Sequence, residues 1–416
     1  MKDIVLINPP SPFLIDDKVH PPLGLLYVAA HIRSHHLGNP VVVDLAGHRW
    51  ESRLKKLWGA DFYGVTATTP QYGYALKILR YLQKYHEKAL NFIGGAHPSS
   101  KPMKCLEDGW DTVIVGEGEP AMNFLLNDPE LYKKYHRQLY IPPNIDINAL
   151  SFPARDLIDI HSYKYRIGRR YATTMMSSRG CPYACAFCSK KVMCGPMRKR
   201  SVENVNAEIA EVQDRFKFNA IMFYDDIFAV DYPRLRDITE FMKERDIIYR
   251  CFVRANLASE KILDQLAETG CYEIGFGAES GSNDILKTIG KCTTVEMNTR
   301  LVRFAHDRGI RVKAFLIAGL PGETRETLAQ TEHWIRTAQP DEFDITILTP
   351  YPGSDIYDSP ERYDISFNKD DDHYDRWFYK GKAGGYAPVV ATRSLSARQI
   401  VEIRDEIERK WKKCRY

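Results

Sequence analysis

Residues 172–188 read Ala-Thr-Thr-Met-Met-Ser-Ser-Arg-Gly-Cys-Pro-Tyr-Ala-Cys-Ala-Phe-Cys. The apolar run at 172–177 predicts a short buried strand, and Ser178-Arg179-Gly180 predicts the turn that ends it. Directly after the turn stand Cys181, Cys185 and Cys188, at CxxxCxxC spacing. Three thiolates so placed can take three corners of a cubane iron–sulfur cluster and leave the fourth iron open, as a ligand-activating cluster requires. The other chemistry that suits them is a zinc site, which wants a fourth Cys or His; Cys194 is at hand for it.

Downstream, further strands are expected at 220–224, 250–253, 272–276, 312–317 and 343–348. Amphipathic helices separate them, for example at 205–216, 235–243, 261–268, 297–306 and 325–336. Six such repeats predict a partial (βα)6 barrel of the TIM type over residues 156–350, whose reactive end is where strands run into helices. That end carries Asp225-Asp226, Arg254, Gly277-Ala-Glu-Ser-Gly-Ser282 and Gly319-Leu-Pro-Gly-Glu-Thr324. From 351 to 416 the repeat breaks down into a C-terminal capping segment. It holds an acidic and aromatic stretch (Asp370-Asp371-Asp372, Trp377, Phe378, Tyr379, Tyr386), a Gly-rich turn and a helix over 397–412.

Upstream, residues 1–127 alternate strand and helix: an apolar run at 3–8, a helix at 23–35 behind Pro21-Pro22, and strands at 41–45, 62–66, 91–93 and 112–115. Short buried strands with helices between them predict a parallel, doubly wound sheet of the flavodoxin or Rossmann kind. Such sheets bind ligands at the carboxyl ends of their strands. Those ends carry Asn8-Pro9-Pro10, residues 66–69, Gly94-Gly95-Ala96-His97-Pro98 and Gly116-Glu117-Gly118-Glu119. Residues 128–155, with Pro142, Pro143 and Pro153, read as a linker.

Composition is that of an ordinary globular protein: 416 residues, 44% hydrophobic, 27% charged, and a formal charge of +4 too mild to indicate nucleic acid. No apolar run approaches the ~20 residues of a spanning helix. The start, Met1-Lys2-Asp3 followed by Ile4-Val5-Leu6-Ile7, has no cleavable signal pattern, which predicts a cytoplasmic chain whose nine cysteines are reduced.

CxxxCxxC with an aromatic before its last Cys resembles the radical S-adenosylmethionine (SAM) superfamily, and the barrel-end segments extend the likeness. The resemblance implies a [4Fe-4S] cluster on Cys181, Cys185 and Cys188. SAM would bind its open iron and be cleaved by an electron to methionine and a 5′-deoxyadenosyl radical. It also implies SAM contacts: Phe187 against the adenine, Asp225 near the amino group, Glu279 and Ser280 near the ribose or carboxylate, and Gly319 in the loop beside the adenine. Arg254 is a candidate for the carboxylate, a task suited to a guanidinium.

Residues 1–125 similarly resemble the cobalamin-binding domain fused to many radical SAM enzymes. The likeness implies cobalamin contacts at Asn8, Pro10, Thr66, Thr68, Gly94, Gly95, His97, Gly116 and Glu117. This sequence departs from the usual Asp-x-His-x-x-Gly motif; the nearest approximations surround His20 and His48. Either cobalamin binds without a histidine ligand or the domain no longer binds it.

The leading expectation is a cobalamin-dependent radical SAM methyltransferase acting on an unactivated carbon. One SAM would methylate cobalamin and a second would generate the radical. A radical SAM isomerase, epimerase or cyclase is the alternative, with Cys251, Cys271 or Cys292 as hydrogen donor, and a non-enzymatic iron–sulfur redox or sensor protein is a third reading. The family implies an electron donor such as flavodoxin or ferredoxin. A monomer acting on a small-molecule or modified-metabolite substrate is the default.

Overall fold

Strand β1 (Asp3–Asn8) sends Ile4 and Leu6 to one side and Val5 and Ile7 to the other, all buried, so helices must cover both faces of its sheet. With β2 (Asn39–Asp44), β3 (Phe62–Thr66), β4 (Leu90–Gly94), β5 (Thr112–Ile114) and β6 (Gln138–Tyr140) it forms a six-stranded sheet in the order β2-β1-β3-β4-β5-β6. Every pair is parallel. Helices Leu23–Ser34 and Glu119–Asn127 bury Leu26, Ala29, Ile32, Met122 and Leu125 against the Ile4–Leu6 face. Helices Tyr72–Tyr85 and Pro102–Glu107 bury Ile78, Leu79, Leu82 and Cys105 against the Val5–Ile7 face. The strand order turns back between β1 and β3, and the loops leaving those two strands flank the crevice of the doubly wound sheet. This structure is a computed structural model that describes residues 2–12, 14, 16–47, 49–127, 138–142, 145–190, 192, 195–368 and 389–412.

The chain divides into two compact units, the second beginning at Tyr165. β6 falls within the stretch read as a linker, and its three residues extend the first sheet at the β5 edge. Part of that stretch, 128–137 and Pro143, lies outside the described residues.

The second unit opens with a small hairpin, β7 (Arg166–Ile167) and β8 (Arg170–Tyr171). Strand β9 (Thr173–Met175) follows, then the two-residue pair of β10 (Ser178–Arg179) and β11 (Arg198–Lys199). Strands β12 (Ala220–Phe223), β13 (Ile248–Val253), β14 (Cys271–Glu279), β15 (Arg311–Ala318) and β16 (Glu342–Ile347) complete a parallel sheet in the order β9-β12-β13-β14-β15-β16. This monotonic order is that of a barrel left open between its first and last strands. The intervening helices start at side-chain caps: Ser201, Asp231, Ser259, Thr294 and Thr324 each accept from the backbone N–H three residues on.

At the open edge, helix Ala397–Trp411 packs against β16. Arg404, buried, donates through Nε to the Ile345 carbonyl (2.8 Å), and the Ile345 N–H donates to Glu408 Oε1 (3.5 Å). The acidic and aromatic stretch at 370–386, expected as part of a cap, lies outside the described residues, as do Cys194 and His48.

Candidate active site

The cysteine loop leaves β10 through Gly180, whose φ of +88° suits a residue without Cβ. Cys185 is buried, and Cys181 and Cys188 are half-buried. The loop is pinned by its backbone: Ala186 N–H donates to Ile289 O (3.0 Å), Ala186 O accepts from Ile356 N–H (3.0 Å), and Cys188 N–H donates to Cys185 O (3.0 Å). Among the described residues no three His, Cys, Asp or Glu side chains gather closely enough to hold a single metal ion. A cubane spreads its thiolates over three irons instead.

Asp225, just past β12, is 1% exposed. Its carboxylate accepts from Ser177 N–H (2.7 Å), Ser177 Oγ (2.6 Å) and Ser178 Oγ. Burial pushes its pKa up, and the serine donors oppose that shift. These contacts tie the end of β12 to the base of the cysteine loop. Arg234 secures the same turn by donating to Ser177 O (2.6 Å) and Arg200 O (2.8 Å). The sequence gives no sign of Ser177 and Ser178 as partners of Asp225.

Arg254 follows β13 and is 6% exposed. Its guanidinium lies 3.7 Å from the centroid of the Tyr183 ring, inside the cysteine spacing, and Nη1 donates to Cys185 Sγ at 3.7 Å. Tyr183 is held in turn by Asn256 Nδ2, which donates to its hydroxyl at 3.0 Å. Nε and Nη2 of Arg254 are buried with no hydrogen-bond partner. Tyr183 and Asn256 were not singled out from the sequence, although Tyr183 stands between two of the cysteines.

Glu279 ends β14 at φ +60°, a left-handed conformation costly for a residue with a side chain. Its carboxylate is paired with Lys291 Nζ at 2.6 Å, both side chains 8% exposed. A Cβ on Gly277 would fall 2.0 Å from Glu279 Oε1 and 2.7 Å from Lys291 Nζ, so glycine there makes room for the pair. Sequence reading missed Lys291, whose signal is only its place after Ile289-Gly290, the segment that anchors Ala186.

Ser280 is buried against Thr331, its Oγ 3.4 Å from Thr331 Oγ1. Gly319 has φ +91°, and its N–H donates to Glu323, a fully buried carboxyl raised by burial to about 8 and with Oε1 unpartnered. Phe187 is half-buried. Of the three extra cysteines, Cys251 and Cys271 are buried in strands, Cys271 at the amino end of β14 with its thiol pushed up by burial; Cys292 is exposed.

In the first unit Asn8 donates through Nδ2 to Asp44 Oδ1 (2.8 Å), Pro10 is buried, and exposed Thr68 donates to Gln71 Oε1 (2.8 Å). Thr66 is half-buried at the end of β3. Gly95 (φ +107°) lies so close to it that a Cβ would come within 2.9 Å of Thr66 Oγ1 and of the Ala67 carbonyl. Gly94 ends β4, and Gly116 (φ +94°) donates its N–H to Ser99 Oγ (2.9 Å), with Glu117 half-buried beside it. His97 is fully buried, stacked on Tyr72 at 4.0 Å between centroids and 3.3 Å from Thr69 Oγ1; burial lowers it to about 3. Its burial keeps the ring neutral.

The residues fit the implied groups unequally. Beside the thiols, a buried guanidinium with two unfilled donors suits an anionic cluster or a carboxylate. At the first sheet the strand ends are bare of side chains at Gly94, Gly95 and Gly116, and Ser11 Oγ, after the β1 loop, is buried without a partner. That suits a bulky cofactor held by shape and neutral hydrogen bonds.

Comparison with known proteins agrees with this division. The radical SAM superfamily model matches residues 175–335 and the B12 binding domain model residues 17–126. The chain is 30% identical over 380 residues to an uncharacterized methyltransferase, PH0819, of Pyrococcus horikoshii, covering 85% of this chain and 82% of that one. It is 24% identical to the anaerobic magnesium-protoporphyrin IX monomethyl ester cyclase of Rubrivivax gelatinosus, covering 81% of this chain and 66% of that one. In fold it is similar to TsrM of Kitasatospora setae, a radical SAM methyltransferase solved with cobalamin and a [4Fe-4S] cluster. There the TM-score is 0.69 at 18% identity, over 95% of this chain and 84% of that one.

Proposed function

This chain belongs to the radical SAM superfamily, in the group that carries a B12 binding domain, and on that premise we propose that it is a cobalamin-dependent methyltransferase acting on an unactivated carbon. The observation that carries the reading is the buried guanidinium of Arg254, unfilled at Nε and Nη2, beside the buried thiol of Cys185. Cys181, Cys185 and Cys188 would hold the [4Fe-4S] cluster, and Arg254 would take the carboxylate of SAM on its two free donors. Phe187, Ser280 and the Gly319 turn would bound the rest of the SAM site, with Glu279 set by Lys291. Asp225 acts through Ser177 and Ser178 as a positioning residue for the cysteine loop. Asn8, Pro10, Thr66, Thr68, Gly94, Gly95, Gly116 and Glu117 would cradle cobalamin without a histidine ligand.

When bound, the reduced cluster supplies the electron that cleaves SAM and cobalamin carries the methyl group, chemistry that amino-acid side chains lack. The protein's share is to bind, orient and keep water out, and the buried cation and the tightly packed strand ends serve those tasks. The need of such a cluster for reduced thiols and a low-potential electron supports a cytoplasmic reaction with a flavodoxin or ferredoxin as donor, on a small molecule or modified metabolite, in a monomer. No helix among the described residues is long and apolar enough to cross a membrane. The cyclase relative favours a second reading, a radical SAM ring-forming or isomerising enzyme, with exposed Cys292 as a hydrogen donor.

Anaerobic purification, cluster reconstitution and loading with hydroxocobalamin separate the two readings. Methyl transfer expects ~four irons per chain together with retained cobalt, and both S-adenosylhomocysteine and 5′-deoxyadenosine as products. Iron without cobalt, and 5′-deoxyadenosine alone, would move the second reading to first place.

A further inference from the structure

Most buried cations of the second unit sit on carboxylates. Arg200 pairs with Glu208, Arg404 with Glu408 and Lys291 with Glu279. Arg254 is as deeply buried, yet among the described residues no carboxylate comes within 4.0 Å of it. An isolated buried charge is costly enough that proteins seldom keep one without a counter-charge. The nearest candidate anion is Cys185 Sγ, to which Nη1 points at 3.7 Å. The guanidinium has little freedom to turn elsewhere, since one face lies 3.7 Å from the Tyr183 ring and Asn256 holds that ring by its hydroxyl.

We propose that Arg254 raises the reduction potential of the cluster on the three cysteines, through the N–H it directs at Cys185 and the positive charge it keeps there. The inference rests on the cluster assignment above. One electron enters the cluster from an external low-potential donor, no bond is made or broken, and the cluster gains one negative charge. A fixed cation beside it favours the more negative state, and an N–H to a ligating sulfur does the same by drawing density from the thiolate. The free Nε and Nη2 remain for the carboxylate of SAM, so one side chain serves both the electron's arrival and the position of the molecule that receives it.

The test is a redox titration of the full-length reconstituted protein without SAM, followed by the electron paramagnetic resonance signal of the reduced cluster. Arg254→Met should retain its iron and lose about tenfold in the equilibrium for reduction, a fall of about 59 mV for one electron. Arg254→Lys, which keeps the charge and loses the fork, should fall by less. An Arg254→Met protein with full iron content and the wild-type potential would overturn the proposal. Should Arg254→Met fail to hold iron, wild-type protein grown with guanidine-15N arginine decides: pulsed resonance of its reduced cluster should show coupling to a guanidinium nitrogen, and no coupling refutes the idea. A wild-type chain that assembles no cluster at all defeats the assignment on which the inference stands, an outcome the iron analysis tells apart from a failed titration.

Discussion

The two parallel sheets end in different chemistry. At the carboxyl ends of the first, Asn8 bonds Asp44, Thr68 bonds Gln71 and His97 is buried in a ring stack, so the strand ends offer glycine backbone and neutral polar groups, the unfilled Ser11 hydroxyl among them. At the carboxyl ends of the second, three thiols share the mouth with Arg254, a cation carrying two unfilled donors. The first end is suited to grip a large preformed cofactor without altering it, and the second to bind charge and pass an electron. The same architecture thus supports both tasks, because the loops, and not the sheets, decide what is left unsatisfied.

If charge matters only at the second mouth, removing it there should cost most. Lys291→Met leaves Glu279 buried and alone, for which a loss of ~3–5 kcal/mol is expected. Denaturant unfolding should show it, and Lys291→Met combined with Glu279→Gln should recover much of the loss. If the double variant were no better than the single one, the pair would not be the coupled unit described.

At the first mouth His97→Gln should cost ~1–3 kcal/mol through lost packing and an unpaired amide, while cobalt content and the visible spectrum of bound cobalamin stay as in the wild type. A shifted cobalamin spectrum would instead make His97 a ligand and erase the contrast. The smallest effect is a pH dependence. Glu323, raised in the folded chain to about 8 by burial, contributes stability in full below its ordinary value near 4.5 and loses it as pH climbs through about 8. Between pH 6 and 8.5 the thermal midpoint should therefore fall further for the wild type than for Glu323→Gln; equal falls would mean that the carboxyl already ionises freely.

Much of the architecture is legible in the sequence, since period-two and period-3.6 patterns mark buried strands and half-buried helices whatever their partners. The doubly covered first sheet follows from such runs as Ile4-Val5-Leu6-Ile7, and the cysteine loop from spacing alone. β6 escaped because three residues among prolines carry no period, and its strand character comes from the open edge of β5. In the site, the residue types at the strand ends are legible but not which of their lone pairs are already engaged. Asp225 looks like a free carboxylate until Ser177 and Ser178 are seen to fill it, and Glu279 until Lys291 is found beside it, twelve positions on. Conversely, Arg254 reads as one more strand-end arginine, and only folding reveals that no acid among the described residues accompanies it.

The side chains of helix Ala397–Trp411 have a further consequence for how the molecule lives among copies of itself. A last strand such as β16 presents unpaired amides and carbonyls that invite a stranger's strand to dock and, once docked, to recruit another. Arg404 and Glu408 answer the Ile345 carbonyl and amide as a neighbouring strand would, and so make the helix a stopper against sticky self-association. A chain cut before residue 397 would keep Cys181, Cys185 and Cys188, yet expose a bare edge open to aggregation.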